Sequence, residues 1–103
     1  MKEAAEGRTV FLDYQTYREH IKLRHPEVAD IEEVVRTVEK PEVVTFDMQE
    51  DTNEHYYRTI PSESDPKFRY SEVVVSYRTM AGRVVTAYRS PKIEPGEAPK
   101  WTA

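Results

Sequence analysis

The sequence predicts an α+β domain with two N-terminal helices packed on a four- to five-stranded antiparallel sheet, in the order β-α-α-β-β-β-β. Three observations carry that prediction. Ile31, Val34, Val35 and Val38 repeat at i, i+3, i+4 and i+7, the apolar stripe of a helix. Beyond Pro41 the period changes to two. The segments 68–79 (FRYSEVVVSYRT) and 83–89 (RVVTAYR) then form the strongest strand pair, separated only by Met80-Ala81-Gly82.

Each element follows in order. Residues 1–7 (MKEAAEG) read as a flexible start, and RTVFL makes a short first strand. Asp13 suits an N-cap, because its carboxylate can accept an otherwise orphan backbone N–H. Tyr14, Tyr17 and Ile21 recur at helical spacing until Pro26, whose ring pushes the preceding residue out of the helical region. The second helix spans about 29–39 and stops at Lys40-Pro41. EVVTFDM (42–48) is a strand, QEDTNE (49–54) a polar turn and HYYRTI (55–60) the next strand. PSESDPK (61–67) is a loop with two prolines. Residues 8–93 thus make a single domain, and 94–103 an irregular tail with Trp101 as a candidate anchor.

For the last hairpin, a three-residue loop over 80–82, with Gly82 in the left-handed conformation, would pair Ser76 with Thr86, Val75 with Ala87 and Val74 with Tyr88. Val73, Val75, Tyr77, Val85 and Ala87 would then face the core. Val74, Ser76, Arg78, Val84, Thr86 and Tyr88 would face outward as a half-polar surface, read either as ordinary solvent-side residues or as an anion-binding face. Arg78 and Arg58 would be its cations, since a guanidinium fork matches two phosphate oxygens.

Composition sets further bounds. With 103 residues, the chain can build one core. Zero cysteines exclude disulfides, thiolate zinc sites and cysteine nucleophiles. The longest aliphatic stretch is VVV at 73–75, so no membrane-spanning helix and no membrane partner is expected; the start lacks an apolar leader, which points to a cytoplasmic protein. The net charge of −4 argues against loose binding of nucleic acid. Its distribution is uneven, however: residues 27–54 hold ten acids and two bases, whereas 55–93 hold seven bases and three acids.

The stretch EHIKLRHPEV (19–28) concentrates the candidate chemistry. On a wheel at about 100° per residue, His25 falls within the apolar arc and is expected as a packed helix-end residue. His20 and Arg24 lie together on the shoulder of that arc, and Leu23 points the opposite way. The spacing of His20, His25 and His55 does not suit a metal, and neither a P-loop, a nucleophile elbow nor a dinucleotide fingerprint is present, so no cofactor is expected.

HIKLRHPEV, VVRTVEKPEVV, HYYRTI, EVVVSY, RVVTAY and KIEPGEAPKW follow one another in an order that resembles the phage-type barnase–EndoU–colicin–RelE-like (BECR) nucleases over about residues 10–101. The histidine-rich helix end and the VVTAY strand are the most specific parts. The resemblance implies metal-independent RNA cleavage, in which the 2′-hydroxyl attacks the neighbouring phosphate with the help of a base, an acid and cations. It implies His20 as the acid/base, Arg24 on the phosphate, Thr86 positioning the scissile group and Tyr88 hydrogen-bonding or stacking. His25, Tyr57, Arg58 and Arg78 would contribute to substrate binding. RNA would be the partner, with an inhibitor or antitoxin protein as a second, for a toxin-like or phage- or mobile-element-associated effector. The alternatives are an inactive module of the same fold that binds RNA or a partner protein, and an assembly component that pairs through the HYYRTI edge.

Overall fold

A computed structural model of the chain describes residues 2–3, 7–28, 30–50, 52–60, 67–93 and 99–102. The elements are β1 (Lys2–Glu3), β2 (Thr9–Phe11), α1 (Tyr14–Thr16) running into a π-helical turn (Tyr17–Lys22), α2 (Ile31–Glu39), β3 (Val43–Phe46), β4 (Asn53–Thr59), β5 (Tyr70–Ser76), β6 (Gly82–Ser90) and β7 (Pro99–Thr102). The protein is α+β. Its sheet has the order β1-β2-β6-β5-β4-β3-β7, with β2 to β6 at its centre and the short terminal strands at its edges. No helix among the described residues is long and apolar enough to cross a membrane.

The expected antiparallel sheet is in fact mixed. β3 to β6 form an antiparallel meander, but β2 lies parallel to β6, with Val10 beside Gly82 and Phe11 beside Arg83. The sequence pattern reveals strands without their neighbours, and β2 docks against the last strand of the meander, not the first. The start and the tail also differ from expectation: Lys2–Glu3 pairs with β2, and Pro99–Thr102 pairs with β3, placing Trp101 opposite Val44. The loop expected over 61–67 lies outside the described residues except for Lys67.

Both helix starts are capped by an aspartate, the first as the sequence predicts and the second at a residue for which no cap was expected. Asp13 accepts from the Gln15 N–H at 2.8 Å, and Asp30 accepts from the Glu33 N–H at 3.0 Å. In α2, Val34, Val35 and Val38 are buried. The first helix departs from the α-helical wheel, because i→i+5 winding turns each residue through a smaller angle. Tyr17 and Ile21 are buried, while Tyr14, at the start of the arc, is 65% exposed. The core joins Val10, Tyr17, Ile21, Val28, Val34 and Val38 to Val44, Tyr56, Val73, Val75, Val84 and Ala87. The helices therefore cover one face of the sheet.

The β5–β6 hairpin corrects the expected register. Glu72 pairs with Tyr88, Val73 with Ala87 and Val74 with Thr86; after an irregularity, Val75 pairs with Val84 and Ser76 with Arg83. The connection runs over residues 77–81, longer than the three residues expected, which moves the pairing by two positions. An extra residue in β6 then reverses the parity. Val84 turns into the core and Val85, expected inside, is 45% exposed.

Gly82 does not take the expected left-handed conformation, since Gly7 is the positive-φ residue among those described. Its role is close approach. A Cβ at Gly82 would stand 2.7 Å from both Tyr77 Cε1 and Val75 Cγ1. Tyr77 cannot yield freely, for its hydroxyl meets that of Tyr56 at 2.5 Å and the Arg8 guanidinium lies 3.9 Å from its ring centroid. Arg8 also holds Glu54, tying the start of β2 to β4. Gly82→Ala is expected to destabilise the protein by about 1–3 kcal/mol through overpacking, measured by urea unfolding.

Candidate functional site

Side-chain alternation carries a second set of residues to the face opposite the helices. Tyr57, Glu72 and Tyr88 form one cross-strand row of this face; Thr45, His55, Val74 and Thr86 form the next. Glu72 has no solvent exposure and His55 is also buried. A carboxylate in that position needs compensation, because desolvation of an unpaired charge costs several kcal/mol.

His55 and Tyr88 supply it. His55 Nδ1 lies 2.6 Å from Glu72 Oε2, and the Tyr88 hydroxyl donates to the same oxygen at 2.8 Å. The other imidazole nitrogen, Nε2, lies 2.8 Å from Asp47 Oδ2. Each imidazole nitrogen thus faces a carboxylate oxygen, and the His55 ring is held between Asp47 and Glu72. Asp47 sits just beyond β3, where its Oδ1 accepts the backbone N–H groups of Gln49 and Glu50 at 2.8 and 3.0 Å. The His55 hydrogen bond, followed by those backbone bonds, lowers the Asp47 pKa to about 2. Glu72 Oε1 is buried with no partner among the described residues. Tyr57 stacks on His55, with ring centroids 6.4 Å apart, and Tyr70 meets Tyr57 edge-on at 6.2 Å.

The network reaches solvent at the helix end. The His25 ring lies 5.4 Å from that of Tyr88, and His25 Nδ1 is 3.5 Å from Glu27 Oε2. The His25 side chain keeps 32% of its exposure, so its imidazole is accessible to a ligand. The π-helical turn and the 25–28 bend carry the chain along the β6 edge, and the Glu27 carboxylate accepts the Arg89 backbone N–H at 3.4 Å. The continuous series is therefore Asp47, His55, Glu72, Tyr88, His25 and Glu27. It joins a buried hydrogen-bonded network to a half-buried imidazole.

Of the residues singled out from sequence, Tyr88, His25 and Tyr57 belong to this cluster, and half-buried Thr86 lies one row away on the same face. His20 is exposed elsewhere, lining a hollow of about 140 Å³ with Asp13, Gln15, Thr16 and Glu19. Arg24 is exposed. Arg58 lies on the helix-covered side, donating to the Lys40 carbonyl at 2.8 Å, and Arg78 pairs with Glu50 at 3.3 Å in the hairpin loop. Sequence reasoning missed Glu72, Asp47 and Glu27 and set His55 aside. Glu72 left a trace: it is a carboxylate inside YSEVVVS, where every neighbour suits a buried strand, and such a residue requires a partner. Among the described residues no cluster of three or more His, Asp or Glu side chains is arranged to hold a metal. No family model, curated protein or solved structure matches the chain.

Two outcomes follow from the charge arrangement. His55→Leu should cost about 3–5 kcal/mol by stranding Glu72, and adding Glu72→Met should recover most of that loss in urea unfolding. Because the folded Asp47 pKa is depressed, its contribution is fully present above pH 3.8, its ordinary value, and is lost as the pH falls towards about 2. Asp47→Asn should remove that part of the acid-unfolding profile.

Proposed function

We propose that the protein is a metal-independent ribonuclease of the BECR type, with its reaction centre where His25 meets Tyr88. One observation carries this reading. The two most family-specific segments of the sequence, the histidine-rich helix end and the VVTAY strand, are 63 positions apart at His25 and Tyr88, and their rings lie 5.4 Å apart. The layout of two helices on one face of the β3–β6 meander, with polar residues on the other, adds support.

In this reading His25, not His20, is the histidine that transfers a proton. The 2′-oxygen attacks phosphorus, the bond from phosphorus to the 5′-oxygen breaks, and a 2′,3′-cyclic phosphate and a free 5′-hydroxyl result. The Glu27 carboxylate takes the 2′ proton, and the imidazolium of His25 gives one to the departing 5′-oxygen. Histidine suits such a transfer because its ordinary pKa lies near neutrality. Tyr88, its hydroxyl anchored on Glu72, offers a ring for stacking a base, with Thr86 beside it. The neighbouring Arg24 supplies the cation for the phosphate. A toxin-like or mobile-element effector, restrained by an inhibitor protein, is the setting the resemblance implies.

The partly exposed carboxylates at Glu27 and Asp47 favour a second reading, an inactive module of the same fold that binds a basic partner, or RNA without cutting it. Incubation with single-stranded and transfer RNAs in EDTA separates the two. Cleavage should fall about 10²–10⁴-fold in His25→Ala and stay within a few-fold of the parent in His20→Ala. RNA left intact over the panel, or cut equally by His25→Ala, would overturn the nuclease reading.

A further inference from the structure

A second polar site lies on the other side of the sheet. Between α2 and the paired ends of β4 and β5 is a cavity of about 360 Å³, lined by Glu33, Arg36, Thr37, Arg58, Thr59, Ile60 and Ser71. It falls at the small end of the roughly 300–1,000 Å³ range of ligand pockets. It shares no lining residue with the His25–Tyr88 cluster, because Arg58 and Ser71 are cross-strand partners on the helix-facing side.

The charges in this cavity do not cancel. Glu33, its one acidic wall residue, is already engaged by Arg89 in a two-pronged pair, Nε to Oε2 at 3.0 Å and Nη2 to Oε1 at 2.6 Å. The nearby Glu42 carboxylate accepts the backbone N–H and the hydroxyl of Thr59 at 2.7 and 2.9 Å. Arg58 spends an Nη1 hydrogen on the Lys40 carbonyl, and the rest of its fork remains for a ligand. The Arg36 guanidinium makes no hydrogen bond or ion pair among the described residues. Two guanidinium groups thus flank a space whose acidic wall is neutralised. Beneath them the buried Thr37 hydroxyl lies 2.8 Å from Ser71 Oγ and 2.7 Å from the Glu33 carbonyl, so when Thr37 donates to Ser71 the Ser71 proton is left for a ligand. Ile60 supplies an apolar wall.

We propose that this cavity binds a small phosphate monoester of mononucleotide size. The arginines would clamp the phosphoryl oxygens, the Ser71 hydroxyl, itself accepting from Thr37, would donate beneath them, and Ile60 would pack against the organic part. A guanidinium fork favours phosphate because two parallel N–H groups match two of its oxygens. The site is independent of the nuclease reading.

The test is titration of the ¹⁵N-labelled full chain with adenosine 5′-monophosphate, with adenosine as the control lacking phosphate. Saturable amide shifts are expected at Thr37, Thr59 and Ser71. Apparent affinity should fall at least about 10-fold in Arg36→Gln and in Arg58→Gln, the loss of one charge-assisted contact, and stay unchanged in His20→Ala. Arg36 is on the exposed face of α2, so its variant probes the site even if Arg58→Gln perturbs folding. Absence of saturation through the millimolar range, equal binding of adenosine, or affinity unchanged in both arginine variants would overturn the proposal.

Discussion

The outer face of the sheet is organised around one carboxylate without solvent exposure. Glu72 sits in the middle of β5, and the groups that satisfy it come from β4 and β6. Because a buried charge is tolerated only with close donors, the pairing of three strands and the placement of His55 become one requirement. Asp47 extends the demand to the turn after β3, where three hydrogen bonds hold its carboxylate ionised. A slip of any of these strands would separate Glu72 from its donors as well as exposing the valines of the other face.

The helix-facing side obeys a different rule. Valines and tyrosines dominate it, and its polar groups lie towards the ends of the strands. At one end Arg8, Glu54, Tyr56 and Tyr77 form a compact cluster, in which burial, with the Tyr77 hydrogen bond, pushes the Tyr56 hydroxyl well above the ordinary phenol range. At the other, Arg36 and Arg58 flank the cavity beside α2. One sheet thus presents an acid-rich relay on one face and an arginine-flanked pocket on the other.

Local chemistry accounts for what could be read in advance. The Asp13 cap, the valine stripe of α2 and the alternation of β3 to β6 each involve residues within about a turn or two of one another, where backbone preference and polarity agree. The same local view failed at the π-helical turn, whose wider winding displaced His20 from the edge of the core, and at the extra residue in β6, which exchanged Val84 for Val85. Both are local departures from a regular period, a six-residue π-helical turn and one extra strand residue.

By itself the sequence determined the α+β class, the two helices and the strands of the meander. Tertiary structure alone decided that β2 runs parallel to β6, that His25 and not His20 reaches Tyr88, and that His55 is held between Asp47 and Glu72. The physical reason is range. Periodicity and capping report forces between sequence neighbours, whereas a buried ion network and a sheet order report which distant segments exclude water together, a property of the assembled fold.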